Sequence, residues 1–295
     1  MISIVITSFK EPETIGKAIE SIINQPIKED YELAITAPDM ETLRVAKKYQ
    51  LTNNKIKLFK DPGKGKSYAL NLLLKKLTGR IIIFTDGDVH VSENSINEII
   101  NEFEDPAIGC VTAQPVPQED KTNQYGFWAN FLFDAAHNLR TKSKNQEAFL
   151  ECSGYFWGFR NNIIESIPLD VAEDTVVPYI FWEKGYKIGY AKDAKVFVKN
   201  VDNWNDWIKQ KIRTSKAHET LGKYVDLTKA PRAKTFLNES KGLSYFFTYP
   251  KTLKEFYWMN KLIFCRLYMW IKVFYDTKIT DNQYEDAWAR VESTK

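Results

Sequence analysis

The run Ile81-Ile82-Ile83-Phe84, followed by Thr85-Asp86-Gly87-Asp88, constrains the fold more than any other stretch of the chain. Four consecutive large apolar residues without polar alternation are the pattern of a strand covered on both faces, as in a parallel sheet. The run breaks off in two carboxylates two positions apart. In extended chain such residues project to the same side, so Asp86 and Asp88 converge just beyond the strand end. Gly87 between them leaves the backbone open to a ligand. The pair suits a hard divalent cation, which in turn holds phosphate oxygens. Asp-Gly-Asp is equally good chemistry for a solvated turn, so the motif alone does not decide.

The flanking sequence alternates strand and helix. Ile2 to Thr7 reads as a buried strand, and Ser8 to Pro12 turns into a helix with Pro12 in its first turn. Ile15, Ala18, Ile19, Ile22 and Ile23 form that helix's apolar stripe. Tyr31 to Thr36 is a second strand, with Asp39 capping a helix from Met40, and Ile56 to Phe59 is a third. The loop Asp61 to Ser67 leads into a helix over Tyr68 to Leu77, which Gly79 stops. This alternation predicts an α/β fold with an open, mostly parallel sheet. Its ligand edge carries Thr7, Ser8, Asp39, Lys64, Lys66, Asp86 and Asp88. Gly63-Lys64-Gly65-Lys66 either cradles phosphate or is a polar connection, and it does not satisfy the Walker A pattern.

After Asp88 the spacing predicts a helix with Ile96, Ile99, Ile100 and Phe103 on one face, opened by a Ser95–Glu98 capping box. A strand over Gly109 to Ala113 and an aromatic helix over Gln124 to Leu139 follow; His137 reads as a surface or core residue rather than a ligand. Glu151 to Arg160 is a small-residue turn followed by aromatics, either a wall for a sugar ring or core packing. Glu173 and Asp174 precede an apolar helix with an early Pro178, which suits an N-cap or a proton acceptor in a cleft. Tyr186 to Ala191 and Lys195 to Val198 read as two late strands.

Beyond residue 200 a basic helical segment runs from Trp204 to His218, and aromatics dominate Leu243 to Tyr275, spaced by Lys261, Arg266 and Lys272. The latter is too charged to span a bilayer. It reads either as an interfacial face meeting a membrane or as a helix packed on the sheet or another subunit. From Thr277 the polar residues suggest a short helix or tail. A net charge of +3 gives little support to nucleic-acid binding. Three cysteines without a CxxC pair fit a reduced compartment and argue against disulfides and zinc. With no leader-like start and no spanning stretch, the expected location is cytoplasmic, peripheral at the inner face of the cell membrane.

The order of motifs says more than any one of them. Thr7-Ser8-x-x-Glu11, the GKGK loop continuing to Asn71, Thr85 to Asp88, Ser153-Gly154 through Arg160, Glu173-Asp174 and Gln210-x-x-Arg213 occur in one chain. The series resembles the inverting family-2 glycosyltransferases, in particular the cellulose and hyaluronan synthase branch, over about residues 1 to 215. That resemblance implies a GT-A catalytic domain over 1–200, with a nucleotide-binding half at 1–88 and an acceptor half at 89–200, and a C-terminal helical region at 201–295. It implies transfer of a sugar from a nucleoside-diphosphate donor to a carbohydrate or lipid-linked acceptor. Thr7, Ser8, Glu11, Asp39 and Lys66 would line the donor site, and Asp86 and Asp88 would hold Mg2+ or Mn2+. Asp174, beside Glu173, would be the base; Gln210 and Arg213 would close over the diphosphate; Ser153, Gly154 and Trp157 would face the acceptor.

Two departures stand out. The second strand ends Thr36-Ala37-Pro38-Asp39 rather than in an acidic pair, and Thr214 follows Arg213 where processive enzymes carry Trp. A non-processive enzyme fits better. A sugar nucleotidyltransferase, which releases pyrophosphate, is the alternative enzyme class. A non-catalytic sugar-nucleotide-binding protein is the other alternative, and intact Asp86, Asp88, Asp174 and Arg213 argue against it.

Overall fold

The computed structural model describes residues 1–230, 232, 235, 243–282 and 284. Helices flank a mixed eight-stranded sheet in the order β3-β2-β1-β4-β7-β6-β8-β5. Its first half is parallel: β1 (Ile2–Thr7) lies between β2 (Tyr31–Ala37) and β4 (Ile81–Asp86), with β3 (Ile56–Lys60) at the edge. Thr7 registers with Asp86, so two sequence-distant polar residues finish side by side at one strand edge. β7 (Phe156–Arg160) runs antiparallel to both β4 and β6 (Ile108–Pro117). β8 (Lys187–Val198) then pairs parallel with β6, and the two-residue β5 (His90–Val91) closes the far edge.

The uninterrupted apolar run in β4 resolves into two faces. Ile81 and Ile83 join Ile4, Ile6 and the stripe of α1 (Ile15–Ile23) on one side. Ile82 and Phe84 join Val5, Trp157 and α6 (Glu173–Glu183) on the other. Alternate residues of a strand point to opposite faces, and both faces here are covered. Burying each such side chain contributes about 1.5–3 kcal/mol.

Several local expectations are corrected. Pro12 lies in the turn ahead of α1, whose cap is Thr14. The third helix, α3 (Lys66–Leu74), begins and ends earlier than its apolar pattern suggests. Gly79 is a packing residue, since a Cβ there would meet Ser3 N at 2.2 Å. Asn94, not Ser95, caps α4 (Ser95–Glu102), while Gln25 Oε1 accepts the Ile96 N–H at 3.2 Å. The two late strands are one: the β6–β8 register jumps from Ala113↔Ala191 to Gln114↔Lys195, so residues 192–194 bulge out between halves of β8. Trp157 is fully buried and stacks on Phe84 at 5.0 Å. Its ring belongs to the core, not to an acceptor wall.

A third, aromatic cluster joins Phe127, Trp128 and Phe131 of α5 (Gln124–Asn145) to Trp207 of α7 (Trp204–Lys216) and to Trp258, Met259 and Leu262. The last three belong to α9 (Leu253–Phe274), which follows the short α8 (Leu243–Thr248). Trp128 Nε1 donates to the Trp258 carbonyl at 2.8 Å, satisfying a buried indole. One face of the C-terminal helix is therefore core. The stretch from Thr277 onward falls largely outside the described residues.

Candidate active site

The parallel strands deliver their ends to one edge, and the polar residues there are tied together. Thr7 Oγ1 donates to Asp86 Oδ1 at 2.8 Å, and Lys66 Nζ lies 2.8 Å from the same oxygen. Lys66 also lies 2.8 Å from Glu173 Oε1, so one ammonium joins the start of α3 to the start of α6. Gly65, immediately before α3, has φ +109, a conformation that a side chain would strain. Burial pulls the Lys66 ammonium down, but Asp86 and Glu173 outweigh it and hold it well above the ordinary lysine range. For Asp86, burial dominates and pushes the carboxyl up, Lys66 opposes, and Asp88 adds repulsion.

The β1–α1 turn is fixed by a second group. Ser8 Oγ donates to Glu11 Oε2 at 2.7 Å, and both residues are buried. A Cβ on Gly87 would meet Ser8 Oγ at 2.3 Å and Glu11 Oε2 at 2.6 Å, so these residues, not a ligand, occupy the space beside Gly87. Asp39 accepts from Thr42 N at 2.9 Å as the cap of α2 (Met40–Gln50) and from Lys10 N at 2.7 Å. Burial works against its charge, yet these hydrogen bonds hold it below the usual carboxylate range. Asp39 thus braces the turn that carries Ser8 and Glu11. Asp61 braces the glycine loop in the same way, accepting from Gly63 N at 2.8 Å and Thr36 Oγ1 at 3.3 Å.

Across the edge, Glu173 and Asp174 occupy the first turn of α6, whose cap is Ala172 with no side-chain hydrogen bond. The two acids are therefore not capping residues, and Pro178 lies inside the helix. They have different surroundings. Glu173 is paired with Lys66. The Asp174 carboxyl is pushed up to about 6, by burial first and by neighbouring Glu173 next, with Lys66 and His218 pulling back and Glu151 adding to the rise. A Cβ on Gly154 would meet Asp174 Oδ2 at 2.8 Å, so the backbone before β7 lies against this carboxylate. Ser153 is buried beside it, its N–H donating to Thr112 Oγ1 at 2.9 Å.

Tyr155 reports how the halves meet. Burial and the charges of Asp88 and Asp86 push its phenol well above the ordinary range; Arg213 pulls against them and Asp174 adds to them. Four groups, the outermost of them Asp86 and Arg213 standing 127 positions apart, thus act on one phenol. Gln210 lies one turn before Arg213 on α7, its carbonyl accepting from Thr214 Oγ1 at 2.7 Å.

Sequence reasoning missed the support behind Asp174. His218 Nδ1 is 3.0 Å from the Thr214 carbonyl and Nε2 is 3.2 Å from Glu151 Oε2, while Tyr179 Oη donates to Glu151 Oε1 at 3.0 Å. His218 and Glu151 stand 67 positions apart, and no local pattern links them.

The oxygen donors Asp86 and Asp88 are of the right class for Mg2+ or Mn2+, though Asp86 Oδ1 is already engaged by Thr7 and Lys66. No cluster of three or more metal-ligating residues occurs among the described residues. A cation held by one or two carboxylates and completed by substrate phosphates needs no such cluster.

The Glycosyl transferase family 2 model matches residues 3–167. The minor teichoic acid biosynthesis protein GgaB of Bacillus subtilis is 28% identical over 190 residues, which cover 61% of this chain and 21% of that protein. An N-acetylglucosaminyltransferase of Rhizobium sp. is 21% identical over 170 residues, 52% of this chain and 37% of its own length. The chain thus matches about a fifth and just over a third of these curated relatives. Among solved structures, the mannosyltransferase PcManGT of Pyrobaculum calidifontis with GDP-Man and Mn2+ superposes with a TM-score of 0.64 at 15% identity, covering 94% of this chain and 88% of that one. S. aureus TarS 1-349 with UDP-GlcNAc gives 0.51 at 13% identity, covering 93% of this chain and 80% of the other. The mixed α/β architecture is that of the GT-A glycosyltransferases.

Proposed function

The chain belongs to glycosyl transferase family 2, and on that premise we propose that it inverts a sugar from a nucleoside-diphosphate donor onto a carbohydrate or lipid-linked acceptor. The observation that carries this reading is the convergence on Tyr155 of Asp88, Asp86, Arg213 and Asp174, with Lys66 joining Asp86 to Glu173. Solved structural neighbours hold GDP-Man with Mn2+ and UDP-GlcNAc, which supports a donor of that class.

In this reading Thr7, Ser8 and Glu11 line the nucleoside end of the donor, and Asp39 acts on it only by bracing their turn. Asp88, with Asp86, would hold Mg2+ or Mn2+, which when bound offsets charge on the leaving diphosphate. Arg213 and Lys66 stabilise the same developing charge, and Gln210 closes over it. Asp174 takes the proton of the acceptor hydroxyl as that oxygen attacks the anomeric carbon. A carboxyl raised to about 6 is ionised at neutral pH yet basic enough to accept that proton. Ser153 and Gly154 set the acceptor's approach from the side of β7. Pyrophosphate release, the mark of a nucleotidyltransferase, would require no base at Asp174.

A panel of nucleotide sugars with Mg2+ or Mn2+, read by thermal shift, identifies the donor, because ligand binding raises apparent stability. Proton NMR of the product then reads the mechanism. An anomeric configuration opposite to the donor's is expected; a retained configuration, or release of pyrophosphate, overturns the proposal.

A further inference from the structure

Helix α9 is apolar on two opposite sides, and among the described residues only one of them is packed into the core. At about 100° per residue, Leu253, Tyr257, Phe264, Tyr268, Ile271 and Phe274 fall within an arc of roughly 120°. They range from 53% exposed at Tyr268 to 90% at Leu253. Trp258, Leu262, Met269 and Val273 point the other way and are buried. Lys254, Lys261 and Lys272 recur along a single flank, roughly 80–100° from the centre of the exposed stripe. Glu255 is the sole acid within the helix, and its carboxylate is turned back onto the amides of Lys251 and Thr252 in the capping box. Lys272 pairs with Asp276, but Asp276 also takes Lys216, so this end keeps a positive surplus.

We propose that this face docks on an anionic phospholipid surface, with α9 lying in the plane of the headgroups. A stripe of aromatic and aliphatic residues edged by lysines satisfies both parts of such an interface: acyl chains take the apolar groups and anionic headgroups take the ammoniums. The charge pattern selects the occupant. In a two-fold dimer of this chain the same lysines would line both sides of the contact, whereas an anionic lipid surface neutralises them. No helix among the described residues is long and apolar enough to cross a membrane, so the contact is peripheral.

The docking helix is joined to the site. Ser215 Oγ lies 3.4 Å from Met269 Sδ, and Lys216 Nζ lies 2.9 Å from Asp276 Oδ2, tying α7 to α9 and to the turn after it. α7 carries Gln210 and Arg213, so a bilayer against the outer face of α9 lies one helix layer, about 10 Å, beyond the helix that holds these two residues. Docking would therefore favour an acceptor carried on lipid. The surface contact itself does not depend on the proposed chemistry, because it is measured without substrate.

The test is flotation of the full chain with phosphatidylcholine vesicles, with and without phosphatidylglycerol, at low and high salt. Binding to the anionic vesicles, weakened by salt, is expected. Phe264→Asp and Ile271→Asp should abolish it. The triple change Lys254→Gln, Lys261→Gln, Lys272→Gln should weaken it about a hundredfold, at about 1 kcal/mol for each lysine near the surface. All variants should keep the wild-type thermal midpoint and donor hydrolysis. The proposal is overturned by absent binding, or by binding indifferent to lipid charge and to the aspartate changes. A lipid-free dimer broken by Ile271→Asp would assign the face to a second copy. A thermal midpoint lowered by the same substitution would assign it to the chain's own residues.

Discussion

The donor and acceptor sides of the proposed site partner their carboxylates differently. On the donor side, carboxylates are met by partners: Asp86 by Lys66 and Thr7, Glu11 by Ser8, Asp39 by two backbone amides. On the acceptor side, Asp174 stands beside Glu173 in the first turn of α6, and it is Glu173 that Lys66 takes. A binding surface gains from groups already settled in their charge state. A general base needs the reverse, a carboxyl held near the pH at which it must exchange a proton. In the proposed reaction the adjacent acids Glu173 and Asp174 divide these roles, Glu173 being paired with Lys66 and Asp174 raised to about 6.

The sharpest way to break this contrast is Asp174→Asn. Sugar transfer should fall by about a thousandfold or more, while donor affinity measured by calorimetry stays near wild type. Lost donor affinity would move Asp174 to the binding side. In the wild type, transfer should fall as pH drops through about 6, because the base is then protonated. The same residue has a stability signature. A carboxyl whose folded pKa is raised adds stability that is fully present below its unfolded value and lost as pH rises through about 6. Asp174→Asn should therefore stabilise the fold at pH 8, by up to about 3 kcal/mol in urea unfolding, less where water reaches the carboxyl.

Lys66→Met probes the settled side. It leaves Asp86 and Glu173 without their shared cation and should cost about 3 kcal/mol of stability together with donor affinity. Asp88→Ala should abolish any metal-dependent part of donor binding, which titration with and without Mn2+ measures. A smaller and more diagnostic effect is expected at the support behind the base. His218→Gln should move the acid limb of the activity profile to higher pH, and Glu151→Gln should move it lower, since the first residue pulls Asp174 down and the second pushes it up. Shifts of the same sign would show that the pair acts only through packing. The smallest expected effect is that of Asp39→Ala: about 1 kcal/mol lost with the cap of α2, and little change at the donor.

What could be read from the sequence follows chain distance. β1, β2 and β4 and the stripe of α1 were legible because neighbours a few residues apart determine them. So were the positions of Asp86 at a strand end and Lys66 at a helix start. The missed features depend on partners far away. Trp157 reads equally as a ligand wall or as core until Phe84 is found stacked on it, and Gly87 reads as open to a ligand until Ser8 and Glu11 are found there. The bulge at residues 192–194 imitates a strand break because β6 supplies the continuity from another part of the chain. His218 carries no signal until α7 is seen folded against Glu151.

Gly154 shows how far the needs of the proposed base extend. With 2.8 Å between a would-be Cβ and Asp174 Oδ2, even alanine has to displace the carboxylate or bend the strand entry. A saturation library selected for transfer should therefore come back with a single amino acid at 154, though that residue offers no functional group. The proposed base would then be written twice in this chain: once as an acid, and once as the hydrogen atom that makes room for it.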